Sequence, residues 1–278
     1  MNITKYFAYS KINLGLQVLN KRNDGYHNIN TVFYRINLCD EMEFSMSEDI
    51  IIEADIPLEI PQKENLIYKA GKLVLDYKNI QTGFKVVVNK RIPVGAGLGG
   101  GSSDAATTII ALNDLYDMKL SPNEIIQLAS IIGSDCAFFA AGCQSALGTG
   151  RGDIITPFDF ILNNNIVLVN PGIHVSTPFA YKSLERGFEE TSAYDFKQTL
   201  EKFNTSLFKD YLINDFEPTI FKLYPEIADI KTKLYYLGAD FALMSGSGST
   251  VFALFPKLIE TKELNKMFPN FFMYNSKE

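Results

Sequence analysis

An α+β chain in two parts is what the order of elements in these 278 residues calls for. In the first half, a valine-rich strand runs through a glycine-rich loop into an alanine-rich helix, between residues 84 and 115. In the second half, strand, helices, two strands, helix and strand follow one another from Ile166 to Tyr274. Between the halves, Pro157 to Asn165 interrupts the pattern with proline, aspartate and three consecutive asparagines. The boundary is placed there, giving expected domains 1–157 and 158–278.

Whole-chain properties exclude several functions. The formal charge is −6, with no block of like charges, which disfavours broad binding to nucleic acid or to an acidic membrane. A phosphorylated ligand therefore has to be held by local positive charge. The three cysteines, Cys39, Cys136 and Cys143, are odd in number and lack metal-ligand spacing, which suits a reducing compartment. Met1 to Tyr6 shows no basic segment leading into an apolar run, so no secretory signal is expected. No apolar run reaches the roughly 18 residues of a membrane span, and the expected location is the cytoplasm.

Ala8 to Leu16 alternates as a strand. Ala8, Ser10, Ile12, Leu14 and Leu16 share one face, and Tyr9, Lys11, Asn13 and Gly15 share the other. By pattern alone Lys11 is an exposed edge residue. After the basic pair Lys21-Arg22, Asn23-Asp24-Gly25-Tyr26-His27 reads as a tight turn, which an ordinary hairpin would also explain. Asn30 to Leu38 and Glu41 to Phe44 read as strands. Asn65 can cap a helix with Leu66, Ala70, Leu73, Val74 and Tyr77 on one face. Ser121-Pro122-Asn123-Glu124 is a capping box with proline at the first helical position, and Gly133 ends that helix. Asp135 follows at once and by itself is either a helix cap or a functional carboxylate.

The richest stretch is Pro93-Val94-Gly95-Ala96-Gly97-Leu98-Gly99-Gly100-Gly101-Ser102-Ser103-Asp104, with five glycines in the seven positions from Gly95 to Gly101. Phe84 to Val88 precedes it as a strand, and Ser102-Ser103-Asp104 offers cap oxygens to a helix over Ala105 to Leu115. A strand, a glycine loop and a helix start can hold phosphate, because backbone N–H groups converge and the helix dipole faces the anion. Gly95-x-Gly97-x-x-Gly100 matches the dinucleotide spacing, but the acid expected about 20 residues on falls in or at the end of the helix. A P-loop lysine is missing, since Ser102 follows Gly101 directly. His-Arg-Asp and Asp-Phe-Gly, needed for a protein kinase, do not occur.

In the second half, Ile166 to Val169 is a short strand and Asn170-Pro171-Gly172 a turn. Ser176-Thr177 caps a helix starting at Pro178, with Tyr181 in its first turn. A helical stretch runs from Asn214 to Leu237 with a kink expected at Pro225. Phe241 to Met244 and Val251 to Phe255 are strands, Glu260 to Met267 a helix, and Asn270 to Tyr274 a closing strand. Met244-Ser245-Gly246-Ser247-Gly248-Ser249-Thr250 joins the two inner strands, and by itself is a flexible hairpin loop.

Three of these stretches together resemble the superfamily of small-molecule kinases named for galacto-, homoserine, mevalonate and phosphomevalonate kinases. Ser10-Lys11-Ile12-Asn13-Leu14 resembles its first motif, the glycine loop its second, and Met244 to Thr250 its third. Gly-Leu-Gly-Gly-Gly-Ser-Ser-Asp-Ala-Ala and Asp24-Gly25-Tyr26-His27 resemble the branch that phosphorylates the C2 hydroxyl of a cytidine-diphosphate-linked methylerythritol in the non-mevalonate isoprenoid pathway. They argue against mevalonate or homoserine as acceptor. The resemblance implies an N-terminal domain like domain 2 of ribosomal protein S5 and a ferredoxin-like C-terminal domain. It implies ATP and Mg2+ as cofactors, with the loop from Pro93 to Ser103 on the phosphates, Asn65 and Leu66 near adenine, and Ser103 as a candidate Mg2+ contact. It makes Lys11 and Asp135 catalytic, Asp135 as base and Lys11 as its cationic partner. Asn13, Tyr26, His27, Thr177, Tyr181, Gly246 and Gly248 become substrate-binding, with cytosine between Tyr26 and Tyr181 and its polar edge read by His27. Cys136-Ala137 stands where the family has Val-Pro, and Gly148-Thr149-Gly150-Arg151-Gly152-Asp153 matches a family loop often ending in Glu.

Overall fold

The long N-terminal hairpin organises the first sheet. Strand β1 (Thr4–Lys21) pairs antiparallel with β2 (His27–Ser47) through three register shifts. The two strands expected at 30–38 and 41–44 are thus one, because β1 supports β2 across the polar residues between them. Strands β3 (Ile51–Ala54), β4 (Gly83–Asn89), β5 (Ser145–Thr149) and β6 (Ile154–Pro157) complete six strands in the order β3-β4-β2-β5-β6, with β1 on the other edge of β2. The computed structural model describes residues 3–57, 60–184 and 189–277.

Four helices cover one face of this sheet: α1 (Leu66–Tyr77), α2 (Gly100–Leu115), α3 (Pro122–Ile132) and α4 (Ser134–Ala140). Met42, Phe44, Phe84 and Val86 pack there against Val74, Ile109 and Leu112. Each fully buried large apolar side chain contributes about 1.5–3 kcal/mol relative to exposure. Helix α1 buries Ile67, Ala70, Gly71, Val74 and Leu75, while Tyr77 is exposed. That stripe begins one residue later than the expected one. The two overlap in sequence, and the close approach of the Phe84 ring to Gly71 selects the second.

The second sheet has the order β10-β7-β9-β8 and is antiparallel throughout. Its strands are β7 (Asn165–Asn170), β8 (Phe241–Met244), β9 (Val251–Phe255) and β10 (Phe272–Asn275). Helices α5 (Thr177–Lys182), α6 (Phe196–Lys202), α7 (Glu217–Leu223) and α8 (Pro225–Tyr236) lie between β7 and β8 in sequence, and α9 (Thr261–Met267) between β9 and β10. This is the expected ferredoxin-like order. Pro225 does not kink one long helix. It starts α8, after Tyr224 has broken α7, since proline lacks the N–H to continue α7 yet suits a first turn. Helix α5 begins at Thr177, so Tyr181 falls in its second turn.

The two sheets meet face to face. Ile12, Leu14, Val32 and Ile36 pack against Ile166, Leu168, Leu243 and Phe252. The other face of the second sheet, with Val167, Ala242, Val251 and Ala253, packs on Ile220, Ile230 and Leu264 of its helices. β7, β8 and β9 are therefore buried on both sides, which is why they read as apolar runs. Because Ile12 and Leu14 face the second sheet, Lys11 and Asn13 turn to the helix side. Lys11 is 3% exposed, so the exposed-edge reading is wrong. No helix among the described residues is long and apolar enough to cross a membrane.

Candidate active site

Lys11 sits where three parts of the chain converge. Its Nζ donates to Asn13 Oδ1 (2.7 Å) and to the Gly97 carbonyl (3.0 Å), and lies 3.3 Å from Asp135 Oδ2. An ammonium has three donors, and here each has an oxygen to face. Asn13 is held in turn: its Nδ2 donates to Thr31 Oγ1 (2.8 Å), whose hydroxyl donates to the Gly15 carbonyl (2.7 Å). Asp135 stands in the first turn of α4, whose cap is Gly133, so the cap reading fails. Its carboxylate keeps 32% exposure and opens onto a cavity of about 1020 Å³.

The glycine loop forms one wall of that cavity. Helix α2 starts at Gly100, not at Ala105, and its N-cap is Gly99 at φ 73°, a left-handed conformation that glycine adopts without strain. Ser103 N donates to the Gly99 carbonyl at 2.9 Å. Ser102 and Ser103 are thus inside the first turn rather than caps. Glycine suits position 100, because a Cβ there would lie 3.0 Å from Ile92 Cγ2. The second domain grips the loop from outside. Ser245 Oγ donates to the Gly97 carbonyl (2.9 Å) and Thr250 N to the Ala96 carbonyl (3.3 Å), and a Cβ on Gly97 would run into the Ser245 carbonyl. Asn214 Nδ2 fixes the gripping loop by donating to the carbonyls of Met244 (2.6 Å) and Gly246 (2.8 Å). Thr177 Oγ1 meets Ser247 Oγ at 3.2 Å.

Behind the loop, Lys90 lies between Asp40 (2.5 Å) and Asp104 (2.7 Å), all three nearly dry. Asp40 Oδ1 also accepts from the N–H groups of Arg91 (2.6 Å) and Ile92 (2.8 Å), pinning the chain just before Pro93. Burial pushes the Asp104 carboxyl up and Asp40 adds to this, against the pull of Lys90. Burial lowers Lys90, but the two carboxylates outweigh it and hold the ammonium above its ordinary value.

At the other end, His27 stacks on Tyr181 with ring centroids 5.2 Å apart and planes at 12°, and Phe216 meets the Tyr181 ring edge-on at 5.0 Å. Burial, then Lys21, lower the His27 pKa. Burial first and Asp135 second raise that of Tyr181. Tyr26 is 54% exposed, with the Arg151 guanidinium 5.2 Å from its ring centre.

A family pattern described as GHMP kinases N terminal domain matches residues 65–143, and one described as GHMP kinases C terminal matches 188–269. The chain is 40% identical over 276 residues to the 4-diphosphocytidyl-2-C-methyl-D-erythritol kinase of Thermodesulfovibrio yellowstonii, covering 95% of this chain and 94% of that one. It is 41% identical over 253 residues to the same-named enzyme of Azobacteroides pseudotrichonymphae, covering 90% and 93%. The chain belongs to the 4-diphosphocytidyl-2-C-methyl-D-erythritol kinase family of the GHMP kinases. A crystal structure of 4-(cytidine 5'-diphospho)-2C-methyl-D-erythritol kinase superposes with TM-score 0.81 at 30% identity, covering 98% of each chain. The mevalonate kinase of Methanococcus jannaschii shares the fold, with TM-score 0.73 at 19% identity over 99% and 98%.

Set against the family's motifs, the structure brings Lys11, Asn13, Tyr26, His27, Asn65, Leu66, Asp135, Thr177, Tyr181 and Gly246 to the one cavity. Pro93 to Gly97 and Gly99 to Ser102 line it too. Leu98, Ser103 and Gly248 are not among its lining residues. Leu98 is buried and gives only its carbonyl, to Lys11 N at 3.0 Å. Ser103 is 1% exposed, because the helix turns it inward, and its neighbour Ser102 lines the cavity. Asn65 Oδ1 caps α1 by accepting from Ile67 N at 2.9 Å. Tyr26 and Tyr181 both line the cavity. The parallel partner of Tyr181 is His27, at 5.2 Å between ring centroids, and the Tyr26 ring carries the Arg151 guanidinium. Sequence reasoning missed Asn214, Lys90 with its two carboxylates, and Arg151 as a cavity residue. Of these, Arg151 and Asp104 stand in recognised motifs.

Proposed function

We propose that the chain transfers a phosphoryl group from ATP to the C2 hydroxyl of 4-diphosphocytidyl-2-C-methyl-D-erythritol, a step of non-mevalonate isoprenoid synthesis. The observation that carries this is the Lys11–Asn13–Asp135 cluster seated against the Gly97 carbonyl, in one cavity with the start of α2. Phosphoryl transfer asks the protein mainly for positioning and charge stabilisation. The N–H groups of the glycine loop and of the first turn of α2 hold the ATP phosphates. Asp135 accepts the proton of the attacking hydroxyl. Lys11 orients that carboxylate and offsets charge on the transferred group. Mg2+, when bound, neutralises phosphate charge. The Ser102 hydroxyl and the Asp135 carboxylate, both on the cavity wall, would be the oxygen donors that hold it together with the ATP phosphates.

Leu66, whose Cδ1 lies 3.7 Å from the Cβ position of Gly101, and Asn65 border the adenine. Cytosine stacks on Tyr26, and the His27–Tyr181 pair forms the wall that reads its polar edge. Three free cysteines and the charge of −6 support a cytoplasmic enzyme acting on a small molecule without a nucleic-acid partner. The test is ADP release from ATP-Mg2+ with the cytidyl compound, mevalonate and homoserine side by side. Turnover confined to the cytidyl compound is expected, and turnover of mevalonate or homoserine in its place would overturn the assignment.

A further inference from the structure

The loop from Gly148 to Asp153 takes no part in the chemistry described so far. Arg151 is its centre. The Arg151 Nε donates to Asp153 Oδ2 (2.9 Å), its Nη2 to the Ser130 carbonyl (3.0 Å), and its backbone N to Asp153 Oδ1 (3.2 Å). With its edge so fixed, the guanidinium sits over the Tyr26 ring, its Cζ 5.2 Å from the ring centre. Both residues line the large cavity.

The same loop is wedged between two functional elements. The Gly150 carbonyl accepts from Ile29 N at 2.7 Å, just after the Tyr26-His27 turn. A Cβ on Gly152 would lie 3.0 Å from Ile29 Cδ1 and 3.7 Å from Ser134 Cβ, and Ser134 begins the helix that carries Asp135. Ser130, whose carbonyl accepts from Arg151 Nη2, belongs to the helix before it.

The Tyr26 backbone is already set. Its N–H donates to Asp24 Oδ1 (3.1 Å) and its carbonyl accepts from Arg22 N (2.7 Å). These bonds leave the side-chain torsions free, so the ring of a half-exposed tyrosine needs another contact to hold one orientation. A planar cation over the ring supplies it. Arginine can do this while its edge binds a carboxylate and a carbonyl, and the point charge of a lysine cannot do both.

We propose that Arg151 is a positioning residue for the cytidyl end of the substrate: it holds the Tyr26 ring as a stacking platform and ties that platform to the α3–α4 junction beside Asp135. This rests on the reading of Tyr26 as the cytosine platform. One face of the ring is taken by the guanidinium, and the other is left for the base.

Arg151→Ala and Arg151→Lys are assayed by steady-state kinetics, alone and in a Tyr26→Ala background. A rise of roughly two- to fivefold in KM for the cytidyl substrate is expected for both, the size of an exposed cation–π contact. KM for ATP and kcat stay within about twofold, and in the Tyr26→Ala background Arg151→Ala adds nothing. The chain has no tryptophan, so Tyr26→Trp introduces a single indole. Its fluorescence anisotropy should fall when Arg151→Ala is added. A KM rise in Tyr26→Ala with none in Arg151→Ala and unchanged anisotropy overturns the role of Arg151 alone. Parallel loss of kcat and of both KM values in Arg151→Ala and Arg151→Lys also overturns it, in favour of a merely structural arginine. An unchanged KM in Tyr26→Ala overturns the platform itself, and this proposal with it.

Discussion

Replacing Lys11 by methionine removes a charge and keeps a stem of similar length. The lysine side chain is 4% exposed and faces three oxygens, at 2.7, 3.0 and 3.3 Å. Not all three are orphaned by the change. The Gly97 carbonyl keeps its bond from Ser245 Oγ at 2.9 Å, and the Asp135 carboxylate, at 32% exposure, can be solvated. Asn13 Oδ1 loses the most. The stability loss is therefore close to one hydrogen bond to a charged group, about 1.5–3 kcal/mol. A native state of about 5–15 kcal/mol survives that. Catalysis suffers more, because a fixed cation aimed at developing charge is gone, and removing one such donor typically costs about 10²–10³ in kcat. Lys11→Met should thus melt cooperatively at a lower temperature, bind ATP nearly as before by calorimetry, and lose kcat by about 10²–10³. A kcat within threefold of the unmodified enzyme, with ATP binding intact, would refute the reasoning and leave Lys11 as a structural ion-pair partner.

Asp135→Asn should lower turnover by about 10²–10⁴ while nucleotide binding survives; near-normal turnover would deny it the role of base. Gly97→Ala forces a Cβ onto the Ser245 and Gly248 carbonyls, so ATP affinity measured by calorimetry should fall more than affinity for the cytidyl substrate. The cytidyl substrate should be strongly preferred over its uridyl analogue in kcat/KM, with His27→Ala eroding the preference; equal kcat/KM in the unmodified enzyme would remove the case for base-edge reading. Asp104 is pushed from 3.8 up to about 7, by burial first. Its folded pKa is raised, so the native state binds more protons and loses stability as pH climbs through that window. Asp104→Asn should flatten the decline, seen as a melting temperature that gains on the unmodified protein from pH 5 to pH 8, and a constant difference would contradict it.

Much of the fold was legible because its signals are local. The Ser121 box forms as read, with Glu124 reaching back to Ser121 N at 2.8 Å, and Asn65 caps α1. What failed was set by partners distant in sequence. The stripe of α1 was chosen by Phe84, and the continuity of β2 by β1. The start of α2 is the sharpest case. Local preference put the cap at the serines, yet Gly99 takes it in the left-handed conformation, and the crowding of Gly97 by Ser245 and of Gly100 by Ile92 comes from residues outside the loop. Helix α6 carries a cap at Asp195 that went unread, since its buried residues are matched to a sheet contact the sequence does not announce.

The site divides in the same way. Glycines, Lys11, Asp135 and the Asp24 to His27 turn stand in motifs, where residue type and spacing carry the chemistry. Their neighbours do not. Asn214 is one polar residue at a helix entrance until Met244 and Gly246 appear on its amide. Lys90 is an ordinary charge beside a strand until Asp40, 50 residues earlier, and Asp104, 14 later, close around it. Alternation placed Lys11 and Asn13 on a shared face correctly. It could not say that this face is covered by α2, the glycine loop and Asp135 rather than by water, because a period of two fixes which residues look the same way and not what they look at. That distinction turns an edge lysine into a buried one, and it came from the second sheet packing on Ile12 and Leu14. The domain that contributes no carboxylate to the Lys11 cluster therefore determines its chemistry twice: it fixes the direction in which Lys11 points, and through Ser245 it holds the Gly97 carbonyl that Lys11 meets.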